Sequence, residues 1–168
     1  MVNGSVGKTA LYAGSFDPFT LGHYDIVQRA LGLFEKVIIL VAVSPSKKSL
    51  LTFNQRVQMI NSLYKEFGDR VKVDSFDGLL VNYAKTNKID VIVRGLRATG
   101  DFEIEFQMAA MNRKLYPVIE MVFLMTSEKF YYLSSSLVRE VFLHGGDIKN
   151  FVPKAIFEQL KKISLSSS

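Results

Sequence analysis

A glycine, a hydroxyl and an imidazole lie within ten residues of one another in Gly14-Ser15-Phe16-Asp17-Pro18-Phe19-Thr20-Leu21-Gly22-His23. An apolar run ends at Gly14, Asp17-Pro18 forces a turn, and a helical pattern opens near Leu21. Gly14 lets the backbone approach a ligand with no Cβ in the way, and Ser15 adds a hydroxyl beside it. His23 falls in the first helical turn, where free N–H groups and the helix dipole favour an anion. Phosphate binding is the chemistry this combination supports. The competing reading is a strand-turn-helix corner with a helix-capping histidine.

Those residues need elements to hold them, and the chain alternates β-like and helical patterns. Strands are expected at Thr9–Ala13, Lys36–Val43, Val71–Phe76, Ile89–Val93 and Glu120–Met125. Helices are expected at Leu21–Phe34, from the capping box Thr52-Phe53-Asn54-Gln55 through Tyr64, and at Leu79–Thr86, Asp101–Leu115, Ser134–Leu143 and Pro153–Ile163. Lys36–Val43 is apolar almost throughout, as a strand covered on both faces must be. The pattern implies an α/β fold, a doubly wound five-stranded parallel sheet in a single domain over 1–168. Residues 1–8 are expected to form an irregular leader and 164–168 a flexible tail.

In such a sheet ligands bind beyond the carboxyl ends of the strands. Gly14-Ser15 follows the first strand and Ser44-Pro45-Ser46-Lys47-Lys48 the second. Asp77-Gly78-Leu79-Leu80 follows the third, Arg94-Gly95-Leu96-Arg97 the fourth, and Phe130-Tyr131-Tyr132-Leu133-Ser134-Ser135-Ser136 comes after the fifth. Glycines, hydroxyls and cations edge four of these segments and leucines the other, which suits a ligand with phosphates and an apolar arm. Lys47 taken alone reads as a solvated surface lysine; its place at the second strand edge favours the site. Arg94 and Arg97 suit bidentate phosphate recognition, the alternative being ion pairs with Asp101, Glu103 or Glu105. His144, the other histidine, precedes Gly145-Gly146 and reads as a helix C-terminal cap.

Composition sets the outer limits. With 168 residues, 48% hydrophobic and 22% charged, the chain can bury one sizeable core. It has no cysteine, so disulfides, thiolate metal sites and thiol catalysis are excluded. No stretch has the length of a membrane span or the apolar core of a signal peptide, and a cytoplasmic location is expected. A net charge of +5 admits anionic partners, but no basic tract with interleaved aromatics points to nucleic acid. Gly7-Lys8-Thr9 imitates the end of a phosphate-binding loop, but it precedes the first strand and lacks the earlier glycine. No cluster has metal-ligand spacing.

Gly14-Ser15-Phe16-Asp17-Pro18 with Thr20-Leu21-Gly22-His23 resembles the signature of the nucleotidyltransferase superfamily. Arg94-Gly95-Leu96-Arg97-Ala98 with Asp101-Phe102-Glu103 and Glu105 resembles the phosphopantetheine adenylyltransferase family. So do Ser44-Pro45-Ser46-Lys47-Lys48, Met111-Asn112-Arg113 and Leu133-Ser134-Ser135-Ser136-Leu137-Val138-Arg139-Glu140. The resemblance runs from Thr9 to Ile163. It implies a Rossmann-like fold and a bacterial-type enzyme of coenzyme A biosynthesis. Such an enzyme moves the adenylyl group of ATP onto 4′-phosphopantetheine by direct in-line attack, giving dephospho-coenzyme A and pyrophosphate.

By the same resemblance His23, Lys47 and Arg97 serve catalysis. Ser15, Phe16, His23, Gly95, Leu96, Arg97, Glu105 and the span Phe130, Tyr131, Tyr132, Leu133, Ser134, Ser135 and Ser136 bind ATP. Ser15, Lys47, Leu80 and Arg94 hold phosphopantetheine. Magnesium rides mainly on the ATP phosphates, the protein supplies no assured ligand to it, and the assembly is a homohexamer with no nucleic-acid or membrane partner. Two positions depart from the pattern: relatives often carry tryptophan near Phe130, and Thr20 stands where the motif has its first histidine. The rivals are a nicotinate-mononucleotide or glycerol-phosphate nucleotidyltransferase, and a synthetase-like or nucleic-acid-binding fragment. Against the last, Met125-Thr126-Ser127-Glu128-Lys129 is a poor imitation of a synthetase lysine loop.

Overall fold

A computed structural model describes residues 8–43, 49–89, 91–97 and 99–166. Five strands, β1 (Thr9–Gly14), β2 (Lys36–Ala42), β3 (Val71–Phe76), β4 (Val91–Leu96) and β5 (Glu120–Met125), form one sheet in the order β3-β2-β1-β4-β5. Every pairing is parallel. The helices are α1 (Leu21–Leu33), α2 (Phe53–Tyr64), α3 (Leu80–Thr86), α4 (Thr99–Leu115), α5 (Ser135–Leu143) and α6 (Lys154–Ser166). The doubly wound five-stranded sheet is thus the one the alternation of patterns implies.

The pleat sends alternate residues of each strand to opposite faces. Tyr12, Val37, Ile39, Val41 and Val93 join one core with Ile26 and Val27 of α1, Met59 and Ile60 of α2, Val138 of α5 and Ile156 of α6. Leu11, Ala13, Ile38, Leu40 and Ile92 face the other way, onto Tyr83 and Ala84 of α3. This second face is thinly covered. Along α4, Phe102, Ile104, Phe106, Met108 and Met111 remain exposed.

Several boundaries shift from the sequence reading, each for a visible reason. β4 was expected to stop at Val93; instead Arg94, Gly95 and Leu96 stay in the ladder opposite Phe123, Leu124 and Met125. At its start, Ile89 belongs to the turn closing α3, its N–H donating to the Ala84 carbonyl at 2.9 Å. Ser134 is the N-cap of α5 and not its first residue. Leu79 likewise stands before α3, and α6 runs on to residue 166, where the pattern suggested Ile163. The capping box of α2 forms as the spacing requires, with Thr52 N–H donating to Gln55 Oε1 at 2.8 Å. The leader lies outside the described residues apart from Lys8, and Ser44–Lys48 lies outside them entirely.

Between β1 and β4 the ladder ends at Tyr12 opposite Val93, although both strands continue. The two ends diverge, and Arg94 Nη1 donates to the Ala13 carbonyl at 2.8 Å across the gap. This crevice is the switch point of the sheet, where the order reverses from β1–β2–β3 to β4–β5.

The loop leaving β1 is tied to three other segments. The Asp17 carboxylate, 3% exposed, accepts from the N–H groups of Leu50 at 2.8 Å and Leu51 at 2.9 Å. It also accepts from Arg139 Nη1 of α5 at 3.1 Å. Arg56 of α2 donates to the Ser15 carbonyl at 2.7 Å, and Ser135 Oγ donates to the Pro18 carbonyl at 2.8 Å. Within this loop Phe16 takes a left-handed φ of 48°, a strained conformation held by a ring that is almost wholly buried. Asp17→Ala would strand two amides and a guanidinium in the interior. It should lower unfolding stability by about 2–4 kcal/mol, read as a shift of the urea midpoint at unchanged m-value.

Candidate active site

The crevice opens into a cavity of about 340 Å³. Tyr12, Ala13, Gly14 and Ser15 form one side, Arg94, Gly95 and Arg97 the other; His23 lies at the head of α1 and Ser134–Ser136 at the head of α5. Gly95 is required by the approach of α1, since a Cβ there would lie 2.9 Å from Ile26 Cγ1. Gly14 lines the cavity, as expected of the β1 end, and has a second use. A Cβ at Gly14 would meet the Phe16 ring at 2.9 Å, so its missing side chain makes room for the loop's own aromatic.

His23 occupies the third position of α1, and its ring closes a capping box with Thr20. Thr20 N–H donates to His23 Nδ1 at 3.0 Å, and His23 N–H donates to Thr20 Oγ1 at 3.4 Å. An Nδ1 that accepts from an amide carries no proton, so the neutral ring is protonated at Nε2. Phe16 meets the ring edge-on at 5.1 Å between centroids, and Phe19 lies at 5.3 Å. Burial lowers the imidazole pKa to about 3, with Arg97 and then Arg94 pushing the same way. The result is an uncharged hydrogen-bond donor at a helix N-terminus. The capping role and the site role, rivals in the sequence, are filled by opposite edges of one ring.

Both arginines line the cavity, and both are paired. Arg94 is bidentate to Glu105, Nε to Oε2 at 2.6 Å and Nη2 to Oε1 at 2.5 Å. Arg97 holds Asp101 through Nε at 3.0 Å and Nη2 at 3.1 Å, and its Nη1 donates to the Leu133 carbonyl at 2.8 Å. The ion pairs weighed as an alternative to phosphate recognition therefore exist, with Asp101 and Glu105 but not Glu103. Among the described lining residues these two cations and two carboxylates balance. Among the described lining residues, His23 Nε2 and the first N–H groups of α5, where Ser134 Oγ caps only Leu137 N–H, are donors without such carboxylate partners. The Tyr12 phenol is pushed well up by burial, against the pull of Arg94 and Arg97, and stays a protonated donor.

A second, apolar cavity of about 130 Å³ adjoins the first. Leu40, Ala42, Phe76, Gly78 and Leu80 line it, and it shares Ala13, Gly14 and Arg94 with its neighbour. Arg94 stands at the boundary.

Most sequence-selected residues meet here. Ser15, Phe16, His23, Arg94, Gly95, Arg97, Glu105, Leu133, Ser134, Ser135 and Ser136 line the polar cavity, and Leu80 the apolar one. Leu96, Phe130, Tyr131 and Tyr132 do not line either; Tyr132 is 59% exposed, and Phe130 packs against the first core. Lys47 lies outside the described residues. Tyr12, Asp101 and Thr126 line the cavity without having been selected as site residues, and Asp17, Arg56 and Arg139 brace it. Asp17 and Arg139 were in view inside their motifs, but only the folded chain shows what they hold.

The sequence model of the cytidylyltransferase-like family matches residues 11–141. A phosphopantetheine adenylyltransferase from Caldanaerobacter subterraneus subsp. tengcongensis is 48% identical over 153 residues, 91% of this chain and 95% of its own. One from Maridesulfovibrio salexigens is 50% identical over 152 residues, 90% of this chain and 91% of its own. Among solved structures, the bifunctional NMN adenylyltransferase/ADP ribose pyrophosphatase of Francisella tularensis, complexed with AMP and a manganese ion, superposes with a TM-score of 0.69. It is 22% identical and covers 94% of this chain and 49% of that one, a likeness of fold.

The state of the imidazole is directly measurable. Nitrogen NMR of the folded protein should show His23 protonated at Nε2, with no titration midpoint between about pH 5 and 8. An unfolded histidine titrates near 6.5, so protons favour the unfolded chain below that value, and stability falls as pH drops from about 6.5 toward 3. His23→Asn should flatten that slope. A midpoint near 6.5 for His23 would contradict an imidazole whose pKa burial lowers.

Proposed function

The chain belongs to the phosphopantetheine adenylyltransferase family, and we propose on that premise that it transfers the adenylyl group of ATP to 4′-phosphopantetheine, yielding dephospho-coenzyme A and pyrophosphate. The observation that carries the reading is the position of Arg94, between a polar cavity headed by two helix starts and an apolar one. A phosphate ester with an apolar arm fits that boundary. The arm lies along Leu40, Phe76 and Leu80, and the phosphate reaches Arg94. The ATP phosphates lie at His23 and the start of α5, with Ser15 between the two ligands. Gly95, Leu96, Arg97 and Glu105 line the nucleotide path, and the span from Phe130 to Ser136 closes over it. Lys47 reaches the reacting phosphate.

The acceptor needs little activation. A phosphate monoester loses its second proton near pH 6, so at neutral pH it is mostly a dianion. One of its oxygens attacks the α-phosphorus of ATP in line, the bond from that phosphorus to the bridging oxygen breaks, and pyrophosphate leaves. His23 donates from Nε2 to the phosphoryl oxygens as charge shifts among them. An attack by His23 itself is disfavoured, because Nδ1 is occupied by Thr20 N–H and Nε2 carries the proton. Magnesium, bound with the triphosphate, would neutralise part of its charge; the described residues offer no cluster of three or more ligating side chains to hold it independently.

The chain works as one nucleotidyltransferase domain of the cytoplasm, in coenzyme A biosynthesis. Its assembly is a homohexamer, a reading supported by the exposed apolar run from Phe102 to Met111 on α4. No helix among the described residues is long and apolar enough to cross a membrane.

Pyrophosphate release from ATP should require 4′-phosphopantetheine and should not be restored by nicotinate mononucleotide or glycerol 3-phosphate. Release with either alternative acceptor at the same rate would assign a different member of the superfamily. Arg94→Ala should mainly raise the Kd for phosphopantetheine and Arg97→Ala mainly weaken ATP or slow turnover. Equal losses for both ligands in both variants would refute the division of labour.

A further inference from the structure

Two residues beyond His23, on the same helix, Asp25 grips the chain that leads from β5 to α5. Ser127 N–H donates to Asp25 Oδ2 at 2.9 Å, and Ser127 Oγ donates to Asp25 Oδ1 at 2.6 Å. Arg29 completes the ring, its Nε donating to Asp25 Oδ2 at 3.0 Å and its Nη2 to Ser127 Oγ at 2.9 Å. Burial works to raise the Asp25 pKa, but the Ser127 hydroxyl and amide and the Arg29 guanidinium together hold it below the usual carboxylate value. The carboxylate is thus ionised and fully engaged, yet neither Asp25 nor Ser127 lines the cavity.

What Ser127 controls is the far wall. Thr126, just before it, is buried and lines the cavity, and its N–H donates to the Leu96 carbonyl at 2.9 Å. After it, Phe130 N–H returns to the Ser127 carbonyl at 2.8 Å, and Leu133 N–H to the Phe130 carbonyl at 3.0 Å. The Leu133 carbonyl is held by Arg97, and Ser135 by the Pro18 carbonyl. The connection from Ser127 to Ser135 is therefore fastened at its start by Asp25 and at its end by the site itself. His23, at the head of α1, and Ser134–Ser136, at the start of α5, line the same cavity, and Asp25 ties α1 to the segment that leads to α5.

We propose that Asp25, acting through Ser127, is a positioning residue for the nucleoside triphosphate. It keeps the donor edge of His23 and the N-terminus of α5 in register with one ligand. The inference rests on the nucleotide lying in this cavity, as proposed above. It involves no contact between Asp25 and substrate. The acceptor cavity is lined by Leu40, Ala42, Phe76, Gly78 and Leu80 together with Ala13, Gly14 and Arg94, none of which takes part in the Asp25–Ser127 contact, so the effect should fall mainly on the nucleotide.

Calorimetric isotherms for ATP and for 4′-phosphopantetheine, with steady-state pyrophosphate release, test this on the full chain. Asp25→Asn keeps the side-chain shape and leaves one of the two Ser127 donors without an acceptor. It should raise the ATP Kd and KM by about tenfold while the phosphopantetheine Kd stays within about twofold. Ser127→Thr, which keeps both donors, should bind ATP as the unaltered protein does. Ser127→Ala should weaken ATP by a few-fold, and the double variant should be no worse than Asp25→Asn alone. If Asp25→Asn fails to fold, the contrast between Ser127→Thr and Ser127→Ala decides. An unchanged ATP Kd in the altered proteins would overturn the inference. So would equal weakening of both ligands, the mark of a merely structural brace. If the unaltered protein binds ATP but releases no pyrophosphate with phosphopantetheine, the proposed reaction fails, while the ATP isotherms still decide the role of Asp25.

Discussion

One buried carboxylate holds the working end of the sheet together. Asp17 lies in the turn between β1 and α1, yet its partners are the backbone after residue 49 and Arg139 of α5. A parallel sheet gathers its strand ends at one edge but does not fix the loops that leave them. Here a single buried carboxylate, fully partnered, does that. Every bond to it brings a cavity wall or its support within reach of Ser15 and His23. An apolar residue could pack in its place, but could not satisfy the Leu50 and Leu51 amides that point inward.

The same economy governs charge. The cavity proposed for the ATP phosphates draws little net field from its arginines, since Arg94 and Arg97 each face a carboxylate from the first turns of α4. The pairs hold two half-buried guanidinium groups in fixed orientations at the cavity, at the expense of net field. An incoming phosphate must therefore share or displace Glu105 and Asp101. Fixed dipoles, from His23 Nε2 and the head of α5, need no such exchange. His23 belongs with them because burial and the two arginines keep it neutral. A positive imidazole would repel both guanidinium groups.

The fold was legible because the apolar runs are long and their alternation with helices is regular. Strand ends were less so: nothing in Arg94-Gly95-Leu96 marks them as strand until Phe123–Met125 lie alongside. The site was legible wherever a residue type has few uses, as with His23 and the serines before α5. Gly14 lines both cavities, but that its missing Cβ also makes room for Phe16 shows only in the folded chain. Leu96, Phe130, Tyr131 and Tyr132 came with motifs and stand off the cavity in this conformation. Asp25 carried no signal, and Ser127 appeared only inside a poor imitation of a synthetase lysine loop. Their pairing joins positions 102 residues apart, and neither sits in a pattern that chemistry alone would select.

At the centre of the account is a direct passage of the adenylyl group from ATP to the acceptor, with His23 as a donor and never a nucleophile. Turnover of ATP bearing a chiral α-phosphorothioate reads this out through the configuration of the dephospho-coenzyme A analogue formed. A single in-line displacement predicts inversion at the α-phosphorus. Net retention, or an isolable adenylyl–His23 adduct, would contradict it.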